Sequence, residues 1–190
     1  MADVETKMQS SQWMGKWSPR PNKARMCWSK IKVMLTVFFD WKGIVHHEFV
    51  PAGQMVNQHL YLKVLICLRD AVRRKRPVLW TNKIWMLHHD NAPAHSALLI
   101  RNYLAKHLTS IVPHPPYSPD LAPADFFLFP KLKTLLKGRR FQTIETIQEN
   151  ATKGLHSITE NAFQEAFQQW QKRWERCIDS SGDYFEGDSA

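Results

Sequence analysis

Two aspartates in this sequence adjoin apolar runs, so their carboxylates can be held on rigid elements. Asp90 lies in HDNAPAH at 89–95, after the apolar run 84–87, and Asp125 ends YSPDLAPAD at 117–125, before another. Phosphodiester cleavage and strand transfer need an activated hydroxyl and a stabilised leaving oxygen, which a pair of Mg²⁺ or Mn²⁺ ions can supply. Because hard cations prefer oxygen ligands, we predict that Asp90 and Asp125 are catalytic metal ligands.

Three histidines beside Asp90 allow a competing interpretation. His88, His89 and His95 could suggest zinc, but no cysteine or regular histidine spacing accompanies them, so a tetrahedral site is disfavoured. We expect instead that one of these histidines contacts phosphate or orients a ligand. No motif supports a Ser/His/Asp or Cys/His nucleophile.

The composition favours a folded domain with an anionic partner. The chain has 190 residues, 44% of them apolar, and 26 Lys and Arg against 17 Asp and Glu give a net charge of +9. Nucleic acid is the first partner that such a charge suggests, although simple solubility is an alternative. The three separated cysteines read as reduced. The N-terminus does not resemble a signal peptide, and no apolar run approaches the roughly 20 residues of a membrane span, so we expect no membrane.

The sequence divides into a basic, tryptophan-bearing arm at residues 1–30 and a domain at residues 31–190. In the domain, apolar β-branched runs around a turn at 40–43 predict a β-hairpin. Apolar residues at i, i+4 spacing then predict a helix over 57–76. Its basic last turn, 73–76, suits the helix dipole and DNA backbone contact equally well.

The two aspartates are predicted to meet at one edge of a sheet. A strand at 84–88 delivers Asp90, a helix follows over 94–107, and a short strand at 108–113 completes a parallel crossover. Ser118 or Asp120 is predicted to cap the next helix, which places Asp125 in its first turn. Further helices are predicted from residue 143 and over 162–177, where an aromatic stripe is typical of core.

Several motifs resemble those of one family. HDNAPxH at 89–95 and YSPDLAPxD at 117–125 are separated so that 34 residues lie between the two aspartates. RRKRP at 73–77, RWxxCI at 173–178 and GxYFE at 182–186 add to the pattern. The chain resembles the catalytic domain of mariner-type transposases of the DD34D class, from about residue 4 onward.

The resemblance implies an α/β fold of the RNase H-like type, with a mixed sheet and helices on both faces. It also implies cut-and-paste transposition at terminal inverted repeats, Mg²⁺ or Mn²⁺ dependence without a small-molecule cofactor, dimers and a nuclear location. Asp90 and Asp125 would be the second and third metal ligands. The family's first catalytic aspartate would precede residues 3–7, and Asp3 and Asp40 match non-catalytic positions. We therefore expect two of three carboxylates, no first, central strand, and inactivity as a nuclease alone.

The resemblance and the charge pattern also suggest contact residues. Residues 1–30 match a loop that reaches the partner subunit, with Trp13, Trp17, Arg20 and Trp28 as expected dimer contacts. The expected DNA contacts are Arg73, Arg74, Lys75, Arg76, His95, Lys131, Lys133, Arg139 and Arg140. Two other functions stay open: a domesticated DNA-binding or protein-interaction module, and a fragment of a longer active transposase or transposase–methyltransferase fusion.

Overall fold

A computed structural model of the chain describes residues 32–139, 141 and 143–181. The predicted arm at 1–30, with its four expected dimer contacts, and Arg140 lie outside the described residues. The described part contains β1 (Met34–Asp40), β2 (Gly43–Val50), α1 (Gln58–Lys75), α2 (Pro77–Thr81), β3 (Met86–His88), α3 (Pro93–Ser96), α4 (Leu98–Lys106), β4 (Ser110–Val112), a 3₁₀ turn (Pro119–Leu121), a π-helical turn (Ala124–Leu128), α5 (Phe129–Leu136), α6 (Ile144–Ser157) and α7 (Glu160–Asp179).

The predicted hairpin is confirmed, and its turn is fixed by two local features. Strands β1 and β2 pair antiparallel, with Asp40 opposite Gly43. The Asp40 side chain accepts a hydrogen bond from the Lys42 backbone N–H, at 2.9 Å. Gly43 has a φ of +118°, a conformation that a residue without a Cβ adopts at little cost. Asp40 is therefore a turn residue, as expected.

Helix α1 confirms the helix predicted over 57–76. Asn57 caps it by accepting hydrogen bonds from the backbone N–H groups of His59 and Leu60. At its other end the Lys75 ammonium donates to the carbonyl of Ile44, at 3.2 Å. The end of α1 is thereby fastened to the hairpin.

The helix predicted over 94–107 is divided. Its first turn, α3, closes on the carbonyl of Ala92, which accepts from both His95 and Ser96. Ala97 then turns to extended backbone, with ψ 146°, and its carbonyl begins α4. The prediction of one continuous helix was wrong because apolar periodicity does not register a single extended residue.

The four strands of the described residues form two separate two-stranded sheets. Sheet β1–β2 is antiparallel, and sheet β3–β4 is parallel, as the crossover predicted. With helices accounting for most of the rest, the α/β class is confirmed. Within the described residues, β1 and β3 belong to different sheets. None of the described helices is long and apolar enough to cross a membrane.

Two hydrophobic clusters hold these elements together. The first joins β2, α1, β3 and α4 around Tyr61, Leu65 and Ile100. The second joins the π-helical turn, α5, α6 and α7 around Leu128, Leu155 and Phe163, with hairpin side chains packed against it. The first cluster includes Leu87 of β3, the strand before Asp90. The second includes Leu128, in the same helical turn as Asp125.

Candidate functional site

Asp90 lies two residues after the end of β3, and local hydrogen bonds fix its carboxylate. Its Oδ1 accepts from the backbone N–H of Ala92, at 3.0 Å, and from Nδ1 of His95, at 2.5 Å. The Asp90 side chain is 63% exposed, so water and a ligand can reach it. His95 therefore orients Asp90 here, one of the roles expected for a histidine of this motif.

A buried tyrosine supports this arrangement from behind. Tyr61 on α1 is 2% exposed, and a 2.9 Å hydrogen bond joins its hydroxyl to Nδ1 of His89. Its ring lies 4.0 Å from the His95 ring, between centroids, and the His89 and His95 rings stack at 5.2 Å. Tyr61 was missed in the sequence, where it appears only as one more residue of an apolar helix. The available signal was a polar hydroxyl on the buried face of a helix, which indicates that a hydrogen-bond partner lies in the core.

The charges around Asp90 follow from this packing. Partial burial alone would raise the pKa of Asp90, but the Ala92 hydrogen bond and the neighbouring His95 outweigh it and hold the pKa below its usual value. Burial, helped by the neighbouring His95, lowers the pKa of His89 to about 4. Burial also raises the pKa of Tyr61, helped by the Asp90 charge. Asp90 is thus ionised and His89 neutral at pH 7.

Asp125 lies in the first turn of the π-helical segment, as predicted for a first helical turn. Its backbone N–H donates to the carbonyl of Ala122, at 2.8 Å. The predicted side-chain caps are absent from the described residues: no such bond caps either helical turn, and Ser118 Oγ donates to the carbonyl of Pro116. This prediction was wrong because the 3₁₀ turn and the π-helical turn are linked through backbone hydrogen bonds at Pro119 and Ala122.

The two aspartates are close enough to influence one another. Partial burial and the negative charge of Asp90 raise the pKa of Asp125, while His114 and Lys133 pull it down. Because Asp125 is an exposed residue, water screens this shift and keeps it modest. A second link ties the two segments, since the Asn91 side-chain amide donates to the carbonyl of His114, at 2.7 Å. This hydrogen bond joins the Asp90 segment to the stretch that leads to Asp125, and the predicted convergence of the two carboxylates on one metal site stays a prediction.

The donor set for a metal ion is incomplete in the described part of the chain. No group of three His, Cys, Asp or Glu side chains lies together there in a way that could hold one. Asp90 and Asp125 supply carboxylate oxygens, the donors that Mg²⁺ and Mn²⁺ prefer, but a site needs further ligands. The residues therefore fit a partial site and not a complete one. The histidines near Asp90 do not form a zinc site either.

The basic run at the end of α1 is used partly within the fold. Arg76 forms a two-point ion pair with Asp40, at 2.6 and 2.8 Å, with side chains only 15% and 21% exposed. Arg73 pairs with Asp70 on the exposed surface. Arg74 has no such partner among the described residues and is exposed. These contacts leave the predicted DNA-binding role of the run untested.

Three of the other expected DNA contacts lie on or after α5: Lys131, Lys133 and Arg139. Lys131 and Lys133 are exposed, and the Lys131 ammonium lies 5.5 Å from the Phe127 ring centroid. Arg139 donates to the side-chain oxygen of Asn150, at 3.0 Å. Lys133 is close enough to Asp125 to lower its pKa, so positive charge flanks the candidate site on this side.

Comparison with known proteins points in one direction. Residues 3–82 match the family model described as "Transposase (partial DDE domain)". Mariner Mos1 transposase of Drosophila mauritiana is 33% identical over 156 residues, covering 82% of this chain and 45% of that protein. The human histone-lysine N-methyltransferase SETMAR is 26% identical over 182 residues, covering 96% of this chain and 27% of that protein. The chain thus spans less than half the length of these relatives.

Solved structures agree. The crystal structure of the catalytic domain of Mos1 mariner transposase matches with a TM-score of 0.75 and 33% identity, over 81% of this chain and 76% of that one. The Mos1 mariner paired end complex with Mn matches at 0.83 and 32% identity, over 92% and 51%. The Mos1 transposase paired-end complex with left transposon end matches at 0.81 and 31%, over 93% and 51%.

These matches confirm the RNase H-like fold and the resemblance that the motifs at 89–95 and 117–125 indicated. A relative at 33% identity, three quarters of whose catalytic domain is covered, shares the fold and the family and not the fold alone. The chain belongs to the mariner-type transposases, within their catalytic domain.

Proposed function

We propose that this transposase-derived chain contributes two carboxylates, Asp90 and Asp125, to a metal-dependent site for DNA cleavage and strand transfer, and that it does not cleave DNA by itself. The observation that carries the proposal is geometric: the Asp90 carboxylate is held by Ala92 and His95, Asp125 lies in the first turn of the π-helical segment, and the described residues hold no group of three donors. A third carboxylate would have to come from outside these residues.

Mg²⁺ or Mn²⁺ is the proposed ion, with Asp90 and Asp125 as two of its ligands. When bound, such an ion polarises phosphate oxygens and stabilises the leaving oxygen. The chain's own residues do the positioning: Ala92 and His95 orient the Asp90 carboxylate, and the Ala122 carbonyl fixes the turn that carries Asp125. Support comes from the similar Mos1 complex that was solved with Mn.

DNA is the proposed partner, which the net charge of +9 and the similarity to a complex with a transposon end both support. Contact with the phosphate backbone would involve Arg74, Lys131 and Lys133, which are exposed. Backbone contact of this kind weakens as salt rises, because bound counterions are released. We extend the proposal to a nuclear location and to homodimers through residues 1–30.

A nicking assay tests the catalytic half of the proposal. The purified 190-residue chain is incubated with supercoiled plasmid and Mg²⁺ or Mn²⁺, beside its Asp125→Ala variant. We expect no nicking by either protein above the background without protein. Metal-dependent nicking by the unmodified chain that disappears in Asp125→Ala would overturn the proposal.

Mn²⁺ binding, followed by electron paramagnetic resonance, tests the site itself. We expect weak binding that Asp125→Asn removes and Asp70→Asn leaves unchanged, because Asp70 is an exposed carboxylate on α1 that pairs with Arg73. Equal loss in both variants would mean that Mn²⁺ responds only to net charge.

Binding of DNA without any cleavage is the second candidate function. The incomplete donor set favours it, together with exposed lysines beside the site. Fluorescence anisotropy with duplex DNA at a series of salt concentrations measures it. Lys131→Gln with Lys133→Gln should weaken binding and flatten its salt dependence, whereas Lys63→Gln on α1 should do less. Absence of binding at low salt would exclude this function and the DNA part of the first.

A further inference from the structure

One helix contacts both segments that carry the candidate metal ligands. Helix α7 lies far from them in sequence, yet the indole N–H of Trp170 donates to the carbonyl of Leu121, at 2.7 Å. One turn later, Arg173 donates to the carbonyl of Asp120, at 3.2 Å. Both acceptors belong to the 3₁₀ turn that leads into the Asp125 segment.

The Leu121 carbonyl depends on the Trp170 hydrogen bond. Because Leu121 is 1% exposed, water cannot readily replace the indole N–H as the donor to this carbonyl. A buried carbonyl left without a donor costs more than the hydrogen bond itself is worth. The next residue, Ala122, accepts from the backbone N–H of Asp125, at 2.8 Å. The position of Asp125 is thus set from α7 through two residues.

The same indole also packs against the other segment. The Trp170 ring lies 5.0 Å from the His88 ring, between centroids, and His88 is the last residue of β3, two positions before Asp90. His88 Nε2 also lies 3.3 Å from Nδ1 of His114. Trp170 therefore contacts both the last residue of β3 and the turn that leads to Asp125.

We propose that Trp170 is a positioning residue that sets the separation of the Asp90 and Asp125 carboxylates. The inference rests on the proposed function for its purpose, because the separation matters only if both carboxylates hold one metal site. Tryptophan suits the position since its ring supplies apolar area and its N–H a directed donor. Phenylalanine could fill the core equally well but could not hold the Leu121 carbonyl.

Arg173 reinforces the same attachment. Its guanidinium lies 4.4 Å from the ring centroid of Phe126, the residue after Asp125. The Asp125 segment is therefore held by α7 on both sides: at the carbonyls of Asp120 and Leu121 before it, and at Phe126 after it.

The test replaces Trp170 by benzothienylalanine, whose sulfur takes the place of the N–H in a ring of nearly the same shape. We expect hydrogen exchange of the amides in 118–126 to become about tenfold faster, the equivalent of one buried hydrogen bond. Exchange in the hairpin, residues 34–50, should stay unchanged. Trp174→Phe, on the same helix, is the control and should leave 118–126 as in the unmodified chain.

Mn²⁺ affinity is the readout that a merely structural role would not move. With the ring preserved, the variant should bind Mn²⁺ about tenfold more weakly, and Trp174→Phe should bind it normally. Faster exchange at 118–126 with unchanged Mn²⁺ affinity would overturn the proposal, and so would unchanged exchange there. If the unmodified chain binds no Mn²⁺ at all, the proposed metal site fails, whereas the exchange result alone still decides whether the Trp170 N–H fixes the turn.

Discussion

The Asp90 and Asp125 segments reach the same site by different means. Asp90 is held locally, by Ala92 and His95 within five residues of it, over a core centred on Tyr61. Within the described residues, no side chain nearby in sequence supports Asp125 in this way. The turn before it is instead hydrogen-bonded to α7, where Trp170 binds the carbonyl of Leu121 from 49 positions away. One carboxylate is fixed by its own motif, and the other depends on a distant helix.

The difference extends to charge. Hydrogen bonds lower the pKa of Asp90, whereas partial burial and Asp90 itself raise the pKa of Asp125. Two nearby carboxylates repel each other unless a cation lies between them. The motif around Asp90 therefore keeps its carboxylate ionised without a metal ion, whereas a bound cation would lower the raised pKa of Asp125.

The largest expected effect comes from breaking the core behind Asp125. Phe163 is 1% exposed and contacts Phe39 of the hairpin and Phe127 beside the site. Phe163→Ala should lower the free energy of unfolding by about 3–5 kcal/mol, because it leaves a large cavity. Urea denaturation measures the loss. A loss below about 1 kcal/mol would mean that this core does not support the Asp125 side.

Acid should weaken the Asp90 side through its histidines. Burial lowers the pKa of both His88 and His89 to about 4, so they gain protons more readily when the chain unfolds. Stability should therefore be complete above pH 6.5 and fall as the pH drops towards 4, with uptake of up to roughly two protons on unfolding. The raised pKa of Asp125 opposes this trend in the lower part of the window.

Urea denaturation at half-unit pH steps checks this expectation. His88→Gln should reduce the slope between pH 6.5 and 4, whereas His59→Gln, on the exposed start of α1, should not. A pH-independent stability across this window would contradict the neutral, partly buried state assigned to His88 and His89.

A smaller effect should follow from Tyr61→Phe, which keeps the ring against His95 and removes the hydroxyl bound to His89. We expect a loss of about 1–2 kcal/mol, since a hydrogen bond is lost and a buried ring nitrogen is left without it. Tyr103→Phe on α4 is the matched control, because no hydrogen bond to its hydroxyl occurs in the described residues. If both variants lose the same amount, the Tyr61 hydroxyl has no special role behind Asp90.

The smallest expected effect comes from comparing Thr143, which caps a helix in the structure, with Ser118, which was predicted to cap one and does not. Thr143 accepts from the backbone N–H of Thr146 at the start of α6, so Thr143→Ala should cost about 1 kcal/mol. Ser118→Ala should cost less than about 0.5 kcal/mol, because Ser118 does not cap the turn before Asp125. Thermal unfolding of the two variants side by side decides it, and the reverse order would restore the cap at Ser118.

Elements of the fold that depend on local interactions could be predicted from the sequence. The hairpin, α1 with its Asn57 cap, and the parallel pairing of β3 and β4 were all predictable from alternation, spacing and turn residues. The interruption at Ala97 and the caps at 118 and 120 were mispredicted, because one residue's backbone angle and a choice between backbone and side-chain acceptors leave no mark in periodicity.

By itself the sequence determined the family and the two aspartates, since both are written in contiguous motifs whose spacing survives without any knowledge of packing. Only the tertiary structure decided how the aspartates are held. Tyr61 stands behind Asp90, Trp170 ties the turn before Asp125, and Arg76 is engaged with Asp40. Each of these contacts joins residues 28 to 49 positions apart. Hydrophobic packing brings such partners together, and no local sequence pattern predicts which residues will meet.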